Sequence, residues 1–120
     1  MLFRSDHYFR VEFLAPENRK VIRPISWCLF VQNKLEMARD YMSRILEGDP
    51  MSHDYINAGH LELCLNNKPR AIEYYVQALK SSEISLNKFS EVLEFDREYL
   101  VSNGVDPIEI QFVIDYMQYV

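Results

Sequence analysis

The chain has 120 residues, a hydrophobic fraction of 48% and a formal net charge of −5. Its length is that of one domain and allows a substantial core. With only three Gly and five Pro, few positions can host the tight turns of a sandwich or barrel, so the composition favours helices. A nucleic-acid partner is not expected, because such proteins normally present a basic face.

The opening sequence MLFRSDHYFR has no apolar core of a signal peptide. No apolar run approaches the roughly 20 residues that a membrane helix needs, so no membrane association and a cytoplasmic location are expected. Cys28 and Cys64 lie in apolar helical stretches. Buried free thiols are therefore expected rather than a disulfide.

Apolar periodicity and helix-capping signals predict seven helices. In chain order, the predicted spans are 3–14, 20–32, 35–48, 53–66, 68–81, 85–102 and 107–119. Pro24 lacks a backbone donor, so the second of these helices is expected to start near it or to bend there. In the sixth, Asp96 is a possible interruption of the apolar stripe.

The end of the sixth predicted helix and the start of the seventh carry specific signals. Asn103-Gly104 is typical of a helix stop, with a residue suited to positive φ. Asp106-Pro107 followed by Glu109 is typical of a helix start, with an N-cap, a proline in the first turn and an acid three residues after the cap. These signals predict a sharp turn between two helices.

A repeated pattern runs through the first two thirds of the chain. Pro16 is followed by Pro50, and Ala38 by Ala71, at nearly the same interval. The stretch 52–83 resembles the tetratricopeptide repeat without a gap, and the residues that carry the likeness are Tyr55, Ala58, Gly59, Ala71, Tyr75 and Ala78. In that pattern small residues let two helices approach and large ones fill the space between them.

The match has departures, and it continues more loosely upstream. The departures are Glu62 where an aromatic residue is usual, Asn66 where Gly is usual and Glu83 where Pro is usual. The looser unit, 19–50, matches at Ile22, Ile25, Ser26, Leu29, Ala38, Met42, Ile45 and Pro50. The segment 95–116 is also similar to the tail of large bacterial tetratricopeptide proteins.

The resemblance implies an all-α fold, a right-handed α-solenoid of antiparallel helix pairs with about seven helices. We expect a single repeat domain over 1–120, made of a half repeat at 1–16, repeats at 17–50 and 51–84, and an atypical capping helix pair at 85–120. Terminal units of such arrays are often atypical because they shield the end of the stack.

The resemblance also implies a ligand-binding groove lined by the first helix of each repeat. The residues at the family's contact positions are Lys20, Arg23, Trp27, Phe30 and Val31 in the first unit and His53, Ile56, Asn57, His60, Leu63 and Cys64 in the second. Trp27 and Phe30 could equally be core. The family's carboxylate clamp is not expected, since Trp27 stands where the clamp needs Asn.

Catalytic and metal-binding patterns are weak in this sequence. It contains no Gly-rich phosphate loop, HExxH or CxxC. His60-x-Glu62 is half of a zinc deaminase signature without its cysteine half, and His53 with His60 makes two potential ligands, too few for a catalytic zinc. The acids Glu91, Glu94, Asp96 and Glu98 are expected on a solvated face. We therefore expect no enzyme activity, no cofactor and no metal.

Three functional hypotheses follow from the sequence. The first is a protein- or peptide-binding adaptor. The second is a structural role in which the N-terminal half repeat, with Phe3 and Phe9, stacks on a second copy or on a larger array. The third, a small helical enzyme, has no support in the sequence.

Overall fold

The computed structural model describes residues 19–81 and 83–120, with side chains from Val21 onward. These residues form six α-helices and include no strand, which confirms the all-helical class for this part of the chain. The helices are α1 (Arg19–Val31), α2 (Leu35–Glu47), α3 (Ser52–Cys64), α4 (Lys68–Lys80), α5 (Leu86–Ser102) and α6 (Pro107–Met117). The predicted helix at 3–14 lies outside the described residues.

Pro24 and Asp96 both lie inside helices. Helix α1 begins at Arg19 and therefore does not start at Pro24, and the alternative expectation, a bend at this proline, stays a prediction. The missing N–H of Pro24 removes one backbone hydrogen bond, but the buried side chains Val21, Ile22 and Ile25 on either side keep the segment helical through packing. Helix α5 runs through Asp96 without a break, because that side chain is buried and hydrogen-bonded.

The pairs α1–α2 and α3–α4 share one register. Each of the four helices has 13 residues, and both helices of the second pair follow their counterparts in the first at one constant interval. The connecting turns match as well. Asn33 N donates to Phe30 O (3.0 Å) and Lys34 N to Leu29 O (2.8 Å). After the same interval, Asn66 N donates to Leu63 O (3.1 Å) and Asn67 N to Glu62 O (2.8 Å).

Both turns depend on an asparagine in the left-handed region, with φ of 62° at Asn33 and 64° at Asn66. The hydrogen bonds are those of a Schellman motif, which satisfies carbonyls at the end of the helix. Asparagine tolerates this conformation better than other residues with a Cβ, because its short polar side chain bonds locally. Asn66 thus adopts the left-handed backbone conformation for which the repeat pattern usually has Gly.

Replacing Asn66 by alanine is expected to lower the free energy of unfolding by about 1 kcal/mol, since a left-handed conformation costs an ordinary residue about 1–2 kcal/mol. Asn66→Gly is expected to keep or raise it, because glycine enters this region freely. Urea unfolding measures both changes. Asn87→Ala, at an exposed position inside α5, is the control and should have little effect. Equal losses for Asn66→Ala and Asn66→Gly would contradict a conformational role.

The chain divides into two compact units. The first unit ends at Pro50, and the second begins at Met51. This division coincides with the predicted joint between the repeats at 17–50 and 51–84. In the first unit, α1 packs against α2 through apolar side chains, namely Ile22, Ile25, Leu29, Ala38, Met42 and Ile45. The buried Ser26 hydroxyl donates to the Ala38 carbonyl (3.1 Å), which satisfies both groups in the interior.

In the second unit, α3 pairs with α4 and α5 pairs with α6. The buried apolar residues that α5 and α6 contribute to the core are Phe89, Leu93, Leu100, Ile110, Val113 and Met117. The predicted turn is confirmed, since Gly104 has φ +100° and the Asp106 carboxylate accepts from Ile108 N (2.9 Å) as N-cap. None of the described helices has the length and apolarity needed to cross a membrane.

Candidate functional site

The predicted groove residues of α1 differ in exposure. Arg23 and Trp27 are half-buried, whereas Phe30 is buried. The Trp27 ring packs against the Phe30 ring, and the two ring centroids lie 5.2 Å apart with the ring planes inclined by 38°. Phe30 is therefore part of the core, and Trp27 retains some exposed surface. The side chain of Lys20 lies outside the described residues.

The predicted groove residues of α3 also differ in exposure. His53 is exposed, and Asn57 and Cys64 are half-buried. Ile56, His60 and Leu63 are buried. Buried residues occur at nine of the 13 positions of α3. A helix enclosed on most sides has no broad free face.

His60 is the centre of a buried polar network that connects three helices. Its Nδ1 lies 2.8 Å from the Tyr75 hydroxyl oxygen in α4, and its Nε2 lies 3.0 Å from Asp96 Oδ2 in α5. The His60 and Tyr75 rings also meet edge to face, with centroids 5.7 Å apart. All three side chains are buried. The network therefore ties α3 to α4 and α5 within the second unit.

The pKa of Tyr75 indicates whether the hydroxyl in this network holds its proton. Burial raises the pKa of Tyr75 well above its ordinary value, and electrostatic interactions with Cys64 and Asp96 raise it further. The hydroxyl therefore keeps its proton. It can donate to His60 Nδ1 when that nitrogen carries no proton, and the Nε2–H of His60 then donates to the Asp96 carboxylate. In this arrangement each of the three side chains has a hydrogen-bond partner, as buried polar groups require.

Sequence reasoning did not find the partnership of His60 with Tyr75 and Asp96. One signal was present, because Asp96 stands three residues after Leu93 and four before Leu100. An acid at a helical core position indicates a buried hydrogen-bond partner. The partner itself was not visible, since His60 is 36 residues away in the sequence.

Cys64, one of the two expected free thiols, is half-buried. Burial raises its pKa to about 12, and the hydrogen bond with Asn103 opposes this only in part. The thiolate is the form that attacks electrophiles and binds metals, and a pKa of about 12 leaves it unpopulated near neutral pH. Glu62, the other half of the deaminase-like pair, is buried and accepts from Asn67 Nδ2 (3.3 Å).

Residues 19–81 and 83–120 contain no group of three or more His, Cys, Asp and Glu side chains that could hold a metal ion. The acids singled out on α5 have separate environments. Glu91 and Glu94 are exposed and pair with Lys88 and Arg97 one turn away, whereas Asp96 is buried against His60. The solvated face predicted for this cluster is therefore confirmed for Glu91, Glu94 and Glu98, and was wrong for Asp96.

Native Cys64 is expected to react with iodoacetamide at pH 8 at least about tenfold more slowly than in urea-unfolded protein, because its native pKa disfavours the thiolate and burial restricts access. A Cys28→Ser background isolates the signal, which mass spectrometry quantifies. Equal rates in native and unfolded protein would contradict the buried environment.

The raised pKa of Cys64 also makes the stability of the protein depend on pH in the alkaline range. Folding raises the pKa of Cys64 from 9.0 to about 12. Its contribution to stability is therefore fully present below pH 9 and is lost as the pH rises towards 12. Cys64→Ala should flatten the stability profile over this window, as measured by urea unfolding at each pH. An unchanged slope would contradict the assignment.

Comparison with known proteins found no matching family model, curated protein or solved structure. Support for a function therefore comes from the chain's own residues and their geometry.

Proposed function

We propose that this chain is a non-enzymatic protein-interaction module of the tetratricopeptide type, which binds a peptide or protein partner in the concave groove of a right-handed helical array. The observation that supports it is the common register of α1–α2 and α3–α4, with equal helix lengths and the same Asn turn in each pair. Stacked helix pairs of one register create extended binding surfaces.

The proposed contact residues are the predicted groove residues that retain exposure, taken for each of the two units by itself. Arg23 and Trp27 come from α1, and His53, Asn57 and Cys64 come from α3. Tryptophan and arginine are frequent energetic anchors of protein interfaces. The Asn57 amide offers both a donor and an acceptor, which suits the backbone of an extended peptide. We propose that the first unit contacts its partner through an aromatic anchor and that the second unit contacts its partner through hydrogen bonds to a peptide backbone.

The experiment is affinity capture from lysate followed by measurement of the dissociation constant for the purified partner. Trp27→Ala and Asn57→Ala are expected to weaken binding, with at least about a tenfold loss for Trp27 if it is an anchor. Phe95→Ala removes an exposed aromatic outside the proposed groove and serves as the matched control. A partner whose affinity falls for Phe95→Ala but not for the two groove variants would contradict this surface.

Self-association through the N-terminal half repeat is the alternative. Phe3 and Phe9, which carry it, lie outside the described residues. Light scattering on the wild type and on Phe3→Glu and Phe9→Glu separates the two functions. A dimer that becomes monomeric in either variant supports self-association, whereas a monomer throughout supports the adaptor.

A further inference from the structure

Helix α6 exposes an apolar stripe on the side away from its buried residues. Ile108, Phe112 and Tyr116, here called the α6 stripe, recur every four residues and are 74%, 45% and 43% exposed. Tyr119, just after the helix, is exposed as well. On the opposite side of α6, Ile110, Val113 and Met117 are buried in the core of the second unit. The residues of the stripe are not part of that core. Apolar patches of this kind mark interaction sites.

The aromatic side chains of the stripe are held in place. The Phe112 and Tyr116 rings stack with centroids 5.9 Å apart and planes inclined by 25°. The Lys68 ammonium lies 4.7 Å from the centre of the Phe112 ring and also pairs with Glu109. Side chains that are already ordered lose less conformational entropy when a partner docks. The stripe is therefore preorganised for binding.

The charge around the stripe indicates the chemistry of its partner. Residues 83–120 contain eight acidic and two basic residues, a formal charge of −6 against −5 for the whole chain. The two bases, Lys88 and Arg97, each pair with a glutamate one turn away. Helix α6 itself carries Glu109 and Asp115 and no basic residue, and its N-cap is Asp106. Against these three acids the structure places the base Lys68 of α4 beside the stripe, which leaves the surroundings of the stripe net negative. Electrostatic complementarity therefore favours a basic partner.

We propose that the α6 stripe binds a basic amphipathic helix of another protein. A helix of this kind places apolar side chains at i, i+3, i+4 and i+7, which can pack along a stripe of period four. Its lysine and arginine side chains then face the acidic residues beside the stripe. A second copy of this acidic helix pair is a poorer occupant, because it would bring two surfaces of like charge together. This proposal is independent of the contact residues proposed on α1 and on α3.

The test uses two labelled synthetic peptides. One has leucine at i, i+3, i+4 and i+7 and lysine at the remaining positions, and the other has glutamate in place of lysine. Fluorescence anisotropy should show binding of the lysine peptide alone. Its affinity should fall at least about tenfold in Ile108→Ser and in Phe112→Ser, in line with the loss of a central apolar contact. Asp115→Lys should weaken it while leaving the apolar surface intact.

Met37→Ser is the matched control, because Met37 is an apolar side chain of α2 in the first unit with 47% exposure, close to that of Phe112. It should leave the affinity unchanged. Thermal unfolding checks that each variant is folded, and Ile108→Ser and Asp115→Lys replace exposed side chains that the core does not need. The proposal is overturned if both peptides bind equally, or if the two serine variants bind like the wild type. It is also overturned if sedimentation shows a dimer that those variants dissociate, which would make a second copy the occupant.

Discussion

Replacing Gly59 by alanine is expected to lower the free energy of unfolding by about 1–3 kcal/mol, the usual cost of overpacking a core. In an ordinary helix the same change is expected to stabilise by roughly 0.5–1 kcal/mol, because glycine is the poorer helix former. Here a Cβ on Gly59 would lie 2.5 Å from Cε1, 2.7 Å from Cδ1 and 2.8 Å from Cζ of Tyr75. The expected effect therefore has the opposite sign to the propensity rule.

The Tyr75 ring has little room to retreat from an added Cβ. It is fully buried, its hydroxyl is engaged by His60, and its other neighbour is Phe89, whose ring centroid lies 5.4 Å away. A displaced ring would also loosen the hydrogen bond to His60. Urea unfolding followed by circular dichroism measures the change. A more stable Gly59→Ala variant would contradict the close approach of α3 and α4 at this residue.

A second substitution identifies the cause. Tyr75→Leu removes the ring that the new Cβ would meet, so Gly59→Ala should cost less in that background than in the wild type. Gly104→Ala is the control, because no atom lies within 4 Å of its added Cβ and its strain comes from φ +100°. Tyr75→Leu should not reduce the cost of Gly104→Ala. Equal rescue of both variants would indicate a general effect of the leucine.

Replacing Asp96 by leucine is expected to lower the free energy of unfolding by about 3 kcal/mol, since a hydrogen bond to a charged group is lost and a buried donor is left unpaired. The donor is the Nε2–H of His60, a fully buried side chain 3.0 Å from Asp96 Oδ2. Asp96→Asn should cost less, because the amide oxygen can still accept that hydrogen bond. Urea unfolding measures both variants.

A double-mutant cycle with His60→Leu tests whether the two side chains act together. In the double variant the His60 donor that Asp96→Leu leaves unpaired is gone, and the Tyr75 hydroxyl is unpaired just as in His60→Leu alone. The double variant should therefore be more stable than the sum of the single losses predicts. Residues in one hydrogen-bond network commonly show a coupling of about 0.5–3 kcal/mol. Additive losses would contradict the hydrogen bond between His60 and Asp96. His53→Leu, at an exposed position of α3, is the control and should not couple to Asp96.

The local features of this chain were predictable from its sequence. The six described helices begin and end within two residues of their predicted bounds, and the turn at Gly104 and the cap at Asp106 are where their residue types placed them. Each of these features depends on interactions within a few residues, such as apolar periodicity, a side chain that accepts from a nearby N–H, or a residue that tolerates positive φ. The matching positions of Ala38 and Ala71 likewise indicated the common register of the first two helix pairs.

Burial around α3 and the pairing across helices were decided only by the tertiary structure. His60 was predicted at the groove, yet it lies in the interior because Tyr75 and Asp96, 15 and 36 residues later, complete its hydrogen bonds there. Helical periodicity by itself groups the apolar residues Phe112, Val113, Tyr116 and Met117 on one side of α6. The structure, however, buries Val113 and Met117 and leaves Phe112 and Tyr116 at the surface. Periodicity within one helix determines its shape and its apolar positions by itself. Which of those positions meet solvent depends on neighbouring helices from distant parts of the chain, and that choice is made only when they pack.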